Sequence, residues 1–268
     1  MFLFDRDIEV KRSGSGINEN AFTGDLSNNW GVNEVPNGGY LMAVVANAMM
    51  HTVEKKGTPL ITVNYISRCE PGNADISVET FSSSRQFDRV QAILTQNGTE
   101  KIRAFGTFAL ESDTEAEVRY EKSPPELKPL DECFKLPPFS DKYSIFSNLD
   151  VRLDPSCAGW MAGDHIDISE HKGWIKFQDD RPFDALSILL MADAFPPPVF
   201  ASQGMVAWVP TLEFSVNVRA NPETKWLKCT FRTRFINNGL LEEDGEVWDE
   251  NDNLVAVSRQ IAQYKKTG

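Results

Sequence analysis

The sequence predicts an α+β protein in which two antiparallel sheets each wrap around a central apolar helix. Three observations carry this. An uncharged apolar run, VPNGGYLMAVVANAMM, precedes four strand-like runs. The same order of one apolar helix and then strands recurs in the second half. Between the halves lies a stretch rich in charge and proline that has neither helical nor strand periodicity.

In order, the pattern gives a helix over about 39–53 and strands near 59–69, 74–85, 88–96 and 101–110, joined by turn residues such as PGN and QNGTE. The segment DTEAEVRYEKSPPELKPLDECFKLPPFSD, 113–141, reads as a linker. Strand-like NLDVRL and GWIKFQ then lead to a helix over 182–195 and strands at 211–218, 225–237, 240–249 and 254–264. This divides the chain into an N-terminal unit at 1–112, the linker, and a C-terminal unit at 142–268.

Local matches support a duplication. ITVNYISRCEPGN resembles PTLEFSVNVRANPE in alternation and turn position, and VANAM in the first helix resembles MADAF in the second. Alternation would set Leu227, Cys229, Phe231, Thr233 and Phe235 on one face, with Lys228, Thr230, Arg232 and Arg234 on the other. A helix apolar on all sides is hidden only if a sheet curls around it, and two such units packed together give a double hotdog.

Composition excludes several function classes. Acidic residues outnumber basic ones by 39 to 27, for a formal net charge of -12, and no basic run occurs, which argues against nucleic-acid binding. MFLFDRDIEV is neither a secretory core nor a membrane span, and the longest apolar run is too short to cross a bilayer. The 4 cysteines lie far apart without CxxC and read as reduced thiols, the expectation for a cytoplasmic protein. GDHIDISEH has neither HExxH nor a zinc-like spacing, so no metal is expected. SGSG at Ser13 to Gly16 is not GxSxG and reads as a flexible terminal segment. GSGINENAF does not fit GxGxxG and no GxxxxGK[ST] occurs, so no nucleotide cofactor is expected.

Five positions stand out. Asp193 sits in SILLMADAFPPP among apolar residues, where an unpaired carboxylate would cost several kcal/mol; it must be paired, protonated or functional. Gln260 shares a strand face with the small Ala256, Ser258 and Ala262, which leaves space above it for a helix or a ligand. Thr211 alternates onto the face of Glu213 and Ser215, opposite Leu212, Phe214 and Val216; by itself it reads as a good strand former. Gly38 and Gly39, at a helix start, allow either a tight turn with close packing or the approach of a ligand to free backbone N–H groups.

Trp30 followed by PNGGYLMAVVANAM, with MADAFPP, VPTLEFSV and LVAVSRQIAQY in the second half, resembles the acyl-CoA thioesterase II family and its thioesterase-like relatives. The resemblance covers nearly the whole chain outside the linker. It implies a double hotdog with a catalytic trio at Asp193, Thr211 and Gln260. It further implies an oxyanion and substrate-binding helix start at Gly38, Gly39 and Tyr40. The implied reaction is hydrolysis of an acyl-CoA to free acid and CoA by water attack, without a covalent intermediate, metal or cofactor. Where the classical enzyme has an Asp-His pair after its strand threonine, this chain has Leu212, Glu213 and Phe214, as a divergent member would. Coenzyme A is polyanionic, and Arg68, Arg85 and Arg89 are the candidate basic contacts.

Two other functions stay open: a catalytically silent acyl-binding protein, and a hotdog hydratase or dehydratase, against which the lack of a DxNxxH pattern argues. Exposed sheet surfaces leave assembly into a homo-oligomer open as well.

Overall fold

The computed structural model describes residues 1–14, 20–111 and 117–266. The first half contains α1 (Leu3–Asp7), β1 (Val10–Arg12), β2 (Ala21–Leu26), the short hairpin β3 (Gly31–Val32) and β4 (Val35–Pro36), and the long helix α2 (Gly38–Met50). Strands β5 (Gly57–Tyr65), β6 (Gly72–Ser83), β7 (Phe87–Gln96) and β8 (Thr99–Ala109) follow. The connection carries β9 (Phe134–Lys135) and α3 (Ile145–Asn148). The second half begins with β10 (Leu149–Leu153), β11 (Ser169–Phe177), α4 (Ala185–Met191) and α5 (Val199–Gln203). It continues through β12 (Ala207–Trp208), β13 (Thr211–Val218), β14 (Leu227–Thr233), β15 (Ile236–Asn237), β16 (Leu240–Asp249), β17 (Leu254–Gln263) and β18 (Lys265–Lys266).

Local chemistry accounts for the two central helices. Asn37 caps α2 by accepting from the Tyr40 amide, and the uncharged Leu, Met, Ala and Val that follow are strong helix formers or core fillers. Asp184 caps α4 in a reciprocal box with Ser187. Pro196 to Pro198 block continuation, because proline lacks the amide and pushes its predecessor out of the helical region. Both helices are buried on nearly all sides and belong to one hydrophobic core with the inward side chains of the strands.

Alternation, strict in β7 and over most of β8 and β16, turns one face of the strands inward, while β14 is buried on both faces at its centre. Two turns share one solution: Asn97-Gly98 and Asn238-Gly239 both hold paired positive φ, which suits the tight hairpins they close.

Several sequence expectations are corrected. The two sheets are one: β5 pairs antiparallel with β13, from Leu60 opposite Asn217 to Asn64 opposite Glu213, and a single 14-stranded sheet runs through both halves. Thr62 and Ser215 hydroxyls join across that seam at 2.9 Å. The residues before α2 are structured as α1, β1 and β2, with β2 pairing with β6 and β1 forming the edge of the sheet. The second central helix is only 7 residues long, and Asp193 lies in the turn beyond it, while the short α5 follows the prolines. The supposed linker is irregular but docked, and it contributes the edge strand β9. Its Lys128 amide donates to Asp154, Trp174 donates to the Lys128 carbonyl, and Tyr120 packs edge-on against Trp248. Residues 113–116 of it, and part of the SGSG and GSGINENAF segments, lie outside the described residues.

Candidate active site

A cavity of about 590 Å³ opens where the start of α2, the turn after α4 and the strands β5, β13, β16 and β17 meet. Its wall is largely apolar, including Val35, Leu41, Phe195, Trp208 and Val209, with Asp193, Thr211, Glu243 and Gln260 as the polar groups of the second half. That composition suits an apolar chain with a polar reacting end.

Asp193 is held from the first half. Its Oδ2 accepts from the Gly39 amide at 2.8 Å and from Asn37 Nδ2 at 2.9 Å, and its backbone carbonyl accepts from the same Asn37 nitrogen at 3.0 Å. Burial pushes the carboxyl up to about 6, and these two donors limit the rise by stabilising the charged form. A carboxylate that titrates near neutrality, half-buried on a cavity wall, is suited to take a proton from water.

Thr211 and Gln260 form the second polar pair. The Thr211 hydroxyl donates to Gln260 Oε1 at 2.7 Å. Gln260 is only 8% exposed and lies on the inner face of β17 with Ala262, as alternation predicts. Thr211 corrects the alternation: the register slips between Thr211 and Glu213, so Leu212 is the extra residue of a bulge. The bulge puts Thr211 opposite Ala262 and beside Gln260, while Glu213 stays on the outer face.

The two glycines serve close approach. A Cβ on Gly39 would meet the Leu189 carbonyl at 2.6 Å and Asp193 Cβ at 2.8 Å, so α2 and α4 touch through bare backbone. The Gly39 amide is committed to Asp193 and is not free for a substrate carbonyl. Gly38 lies on the cavity wall, and a Cβ there would come within 2.9 Å of Asp193 Oδ2.

Tyr40 is corrected outright. Fully buried, it donates to the Asp7 carbonyl at 2.7 Å, accepts from the Ser27 amide, and stacks on Trp30 away from the cavity. It anchors the amino terminus against α2. Of the three arginines, Arg68 lines the cavity and is exposed, whereas Arg85 and Arg89 lie on the β6–β7 hairpin outside the lining, Arg89 over the Phe87 ring.

Three wall residues escaped sequence reasoning. Tyr65, from the end of β5, donates to the Gly38 carbonyl at 2.7 Å and thereby fixes the start of α2. Cys69 lines the cavity, but burial pushes its thiol up to about 11, which keeps it protonated and a poor nucleophile. Glu243, 7% exposed on the inner face of β16, is raised to about 8, first by burial and then by the nearby Asp193 charge, against a hydrogen-bonding contribution from Gln260. Its signal was available: in LLEEDGEV, Glu243 alternates onto the face of Leu241 and Val247. Among the described residues no group of three or more His, Cys, Asp or Glu could hold a metal ion, and no helix is long and apolar enough to cross a membrane.

The architecture defines a class first. The structure matches a hot dog-fold protein from Alicyclobacillus acidocaldarius with a TM-score of 0.86 at 20% identity, covering 100% of both chains. It also matches a provisionally assigned thioesterase II from Thermobifida fusca YX with a TM-score of 0.89 at 25% identity, covering 99% of this chain and 98% of that one. An acyl-CoA thioesterase II from Mycobacterium marinum matches with a TM-score of 0.76 at 14% identity, covering 99% of each chain. Family models place it further: one for acyl-CoA thioesterase N-terminal domains matches residues 26–109, and one for acyl-CoA thioesterase C-terminal domains matches residues 121–264. The chain belongs to the acyl-CoA thioesterase family. No curated protein sequence matches it.

Proposed function

We propose that the protein is a double hotdog that hydrolyses an acyl-CoA thioester to the free acid and CoA, with Asp193 as the general base. The observation that carries this reading is the setting of Asp193: a carboxyl raised to about 6, held by Gly39 and Asn37, on the wall of an apolar cavity shared with the Thr211–Gln260 pair.

Water bound between Asp193 and the Thr211 hydroxyl gives a proton to the carboxylate as its oxygen attacks the thioester carbonyl carbon. The carbonyl oxygen becomes negative. With the Gly39 amide committed, Gly38 supplies the backbone amide on the cavity wall to receive that charge. Collapse re-forms the carbonyl, breaks the carbon–sulfur bond, and passes the proton from Asp193 to the departing thiolate. Atoms and charge balance without a covalent enzyme intermediate. Cys69 takes no part, because its thiol stays protonated. Arg68, the one basic residue of the lining among the described residues, receives an acidic part of CoA at the mouth.

The test is thiol release from short, medium, long and aromatic acyl-CoAs by native protein and by Asp193→Asn. Release that collapses in the variant supports the reading. A folded native protein that binds acyl-CoA without releasing thiol would sink it and leave the acyl-binding function.

A further inference from the structure

Glu243 is the buried carboxyl that this mechanism leaves unused. It faces the same cavity as Asp193, pairs in register with Gln260 across β16 and β17, and lies on the inner side of its strand. One of its oxygens, Oε2, is buried without any hydrogen-bond partner, an expensive arrangement for a carboxyl that ionises at its ordinary value. Gln260 thus stands between two groups: it accepts from Thr211 through Oε1, which leaves its NH₂ for Glu243.

We propose that Glu243 is a positioning residue: by accepting from the Gln260 amide it fixes which way that amide points, which keeps the Thr211 proton on Gln260 Oε1 and leaves the Thr211 oxygen to accept from the water held by Asp193. A flipped Gln260 would present its NH₂ to Thr211, and the hydroxyl would turn its proton elsewhere. A protonated carboxyl keeps one oxygen for Gln260 without holding a second buried charge beside Asp193.

Ionisation of Glu243 would put that second charge into the cavity. The titratable groups facing it are Asp193 from the turn after α4, Tyr65 from β5 and Cys69 beyond it, with Arg68 exposed at the mouth. Glu242 and Asp244 flank it on the outer face of β16, where Asp244 is paired with Arg259 and Arg234. Among the described residues, none of these cavity groups is a buried cation that would compensate the charge.

The inference rests on the hydrolytic reading, so its test has an arm that does not need turnover. In the kinetic arm, Glu243→Leu lowers kcat at least about tenfold with KM within about twofold, and Glu243→Gln, which keeps an acceptor for Gln260, restores most of it. The native enzyme loses activity at alkaline pH and Glu243→Gln does not. In the second arm, the side-chain amide proton and nitrogen signals of Gln260, identified by their loss in Gln260→Leu, shift between pH 7.5 and pH 10, above the range in which Asp193 titrates, in native protein and stay still in Glu243→Gln. Native kcat in Glu243→Leu, or a Gln260 shift that persists in Glu243→Gln, overturns the proposal. If native protein releases no thiol, the hydrolytic reading fails, and the Gln260 titration alone decides the pairing.

Discussion

Thr211 donates to Gln260 at 2.7 Å, and the bulge at Leu212 is what brings the two together. Were Leu212 paired in regular register, period-two alternation would carry Thr211 to the outer face with Glu213. Deleting Leu212 makes Thr211 the direct neighbour of Glu213 and so keeps it on the inner face opposite Ala262; the deletion should cost much less kcat than Thr211→Val, which should lose about tenfold or more, while Thr211→Ser keeps most activity. Kinetics on the three variants check this; a loss in the deletion as large as that in Thr211→Val would contradict it.

In the proposed hydrolysis, Asp193 sets the acidic limb. A base must be ionised to accept a proton, so kcat/KM should climb as pH rises through about 6 and then level off. Asp193→Asn should lose about 10²- to 10⁴-fold in kcat and show no such limb in what remains. A native profile flat from pH 5 to pH 7 would exclude Asp193 as the base.

The two glycines should separate stability from function. Gly39→Ala drives a methyl into the Leu189 carbonyl and Asp193 Cβ, a backbone oxygen and a Cβ that cannot swing aside, and should cost about 2 to 4 kcal/mol. Gly38→Ala meets only the tips of the Asp193 and Tyr65 side chains, so its loss should fall on kcat more than on Tm. Denaturant unfolding and kinetics on the pair would test this, and equal destabilisation by both would refute it.

Glu243 should make the fold less stable as pH rises. Its folded value of about 8 exceeds the ordinary carboxyl value of 4.5, so between those values the native state holds a proton that the unfolded chain has lost. Stability from this group is complete below the unfolded value and declines with rising pH until the folded value is passed. Glu243→Gln should therefore gain in Tm over native protein at pH 9 relative to the difference at pH 5. Identical Tm differences at the two pH values would contradict a buried, proton-holding Glu243.

Much of the architecture was readable because both central helices are uncharged and capped and the strands alternate: β13 and β16 lie at 211–218 and 240–249 as the pattern placed them. Asp193 and Gln260 were legible as polar residues in apolar or small surroundings. What escaped were long-range facts. The sheet is continuous because β5 and β13 pair across more than a hundred residues, and no local pattern encodes that partner. Tyr40 misled because its neighbours in sequence line the cavity while its own ring, one helical step on, turns into the core. Asn37 was quoted only as part of a motif, yet its amide reaches Asp193 from 156 residues away.

The VANAM and MADAF match aligns Asn47 of α2 with Asp193. Asn47 donates to the Ile8 carbonyl at 2.8 Å and so secures the amino-terminal segment instead of holding a titratable proton. Two identical subunits related by a two-fold axis would carry the acid twice or not at all. Within one polypeptide the two positions differ: Asn47 serves architecture, and Asp193 lines the cavity. Active-site titration with a tight, non-hydrolysable acyl-CoA analogue should accordingly saturate at one equivalent per chain.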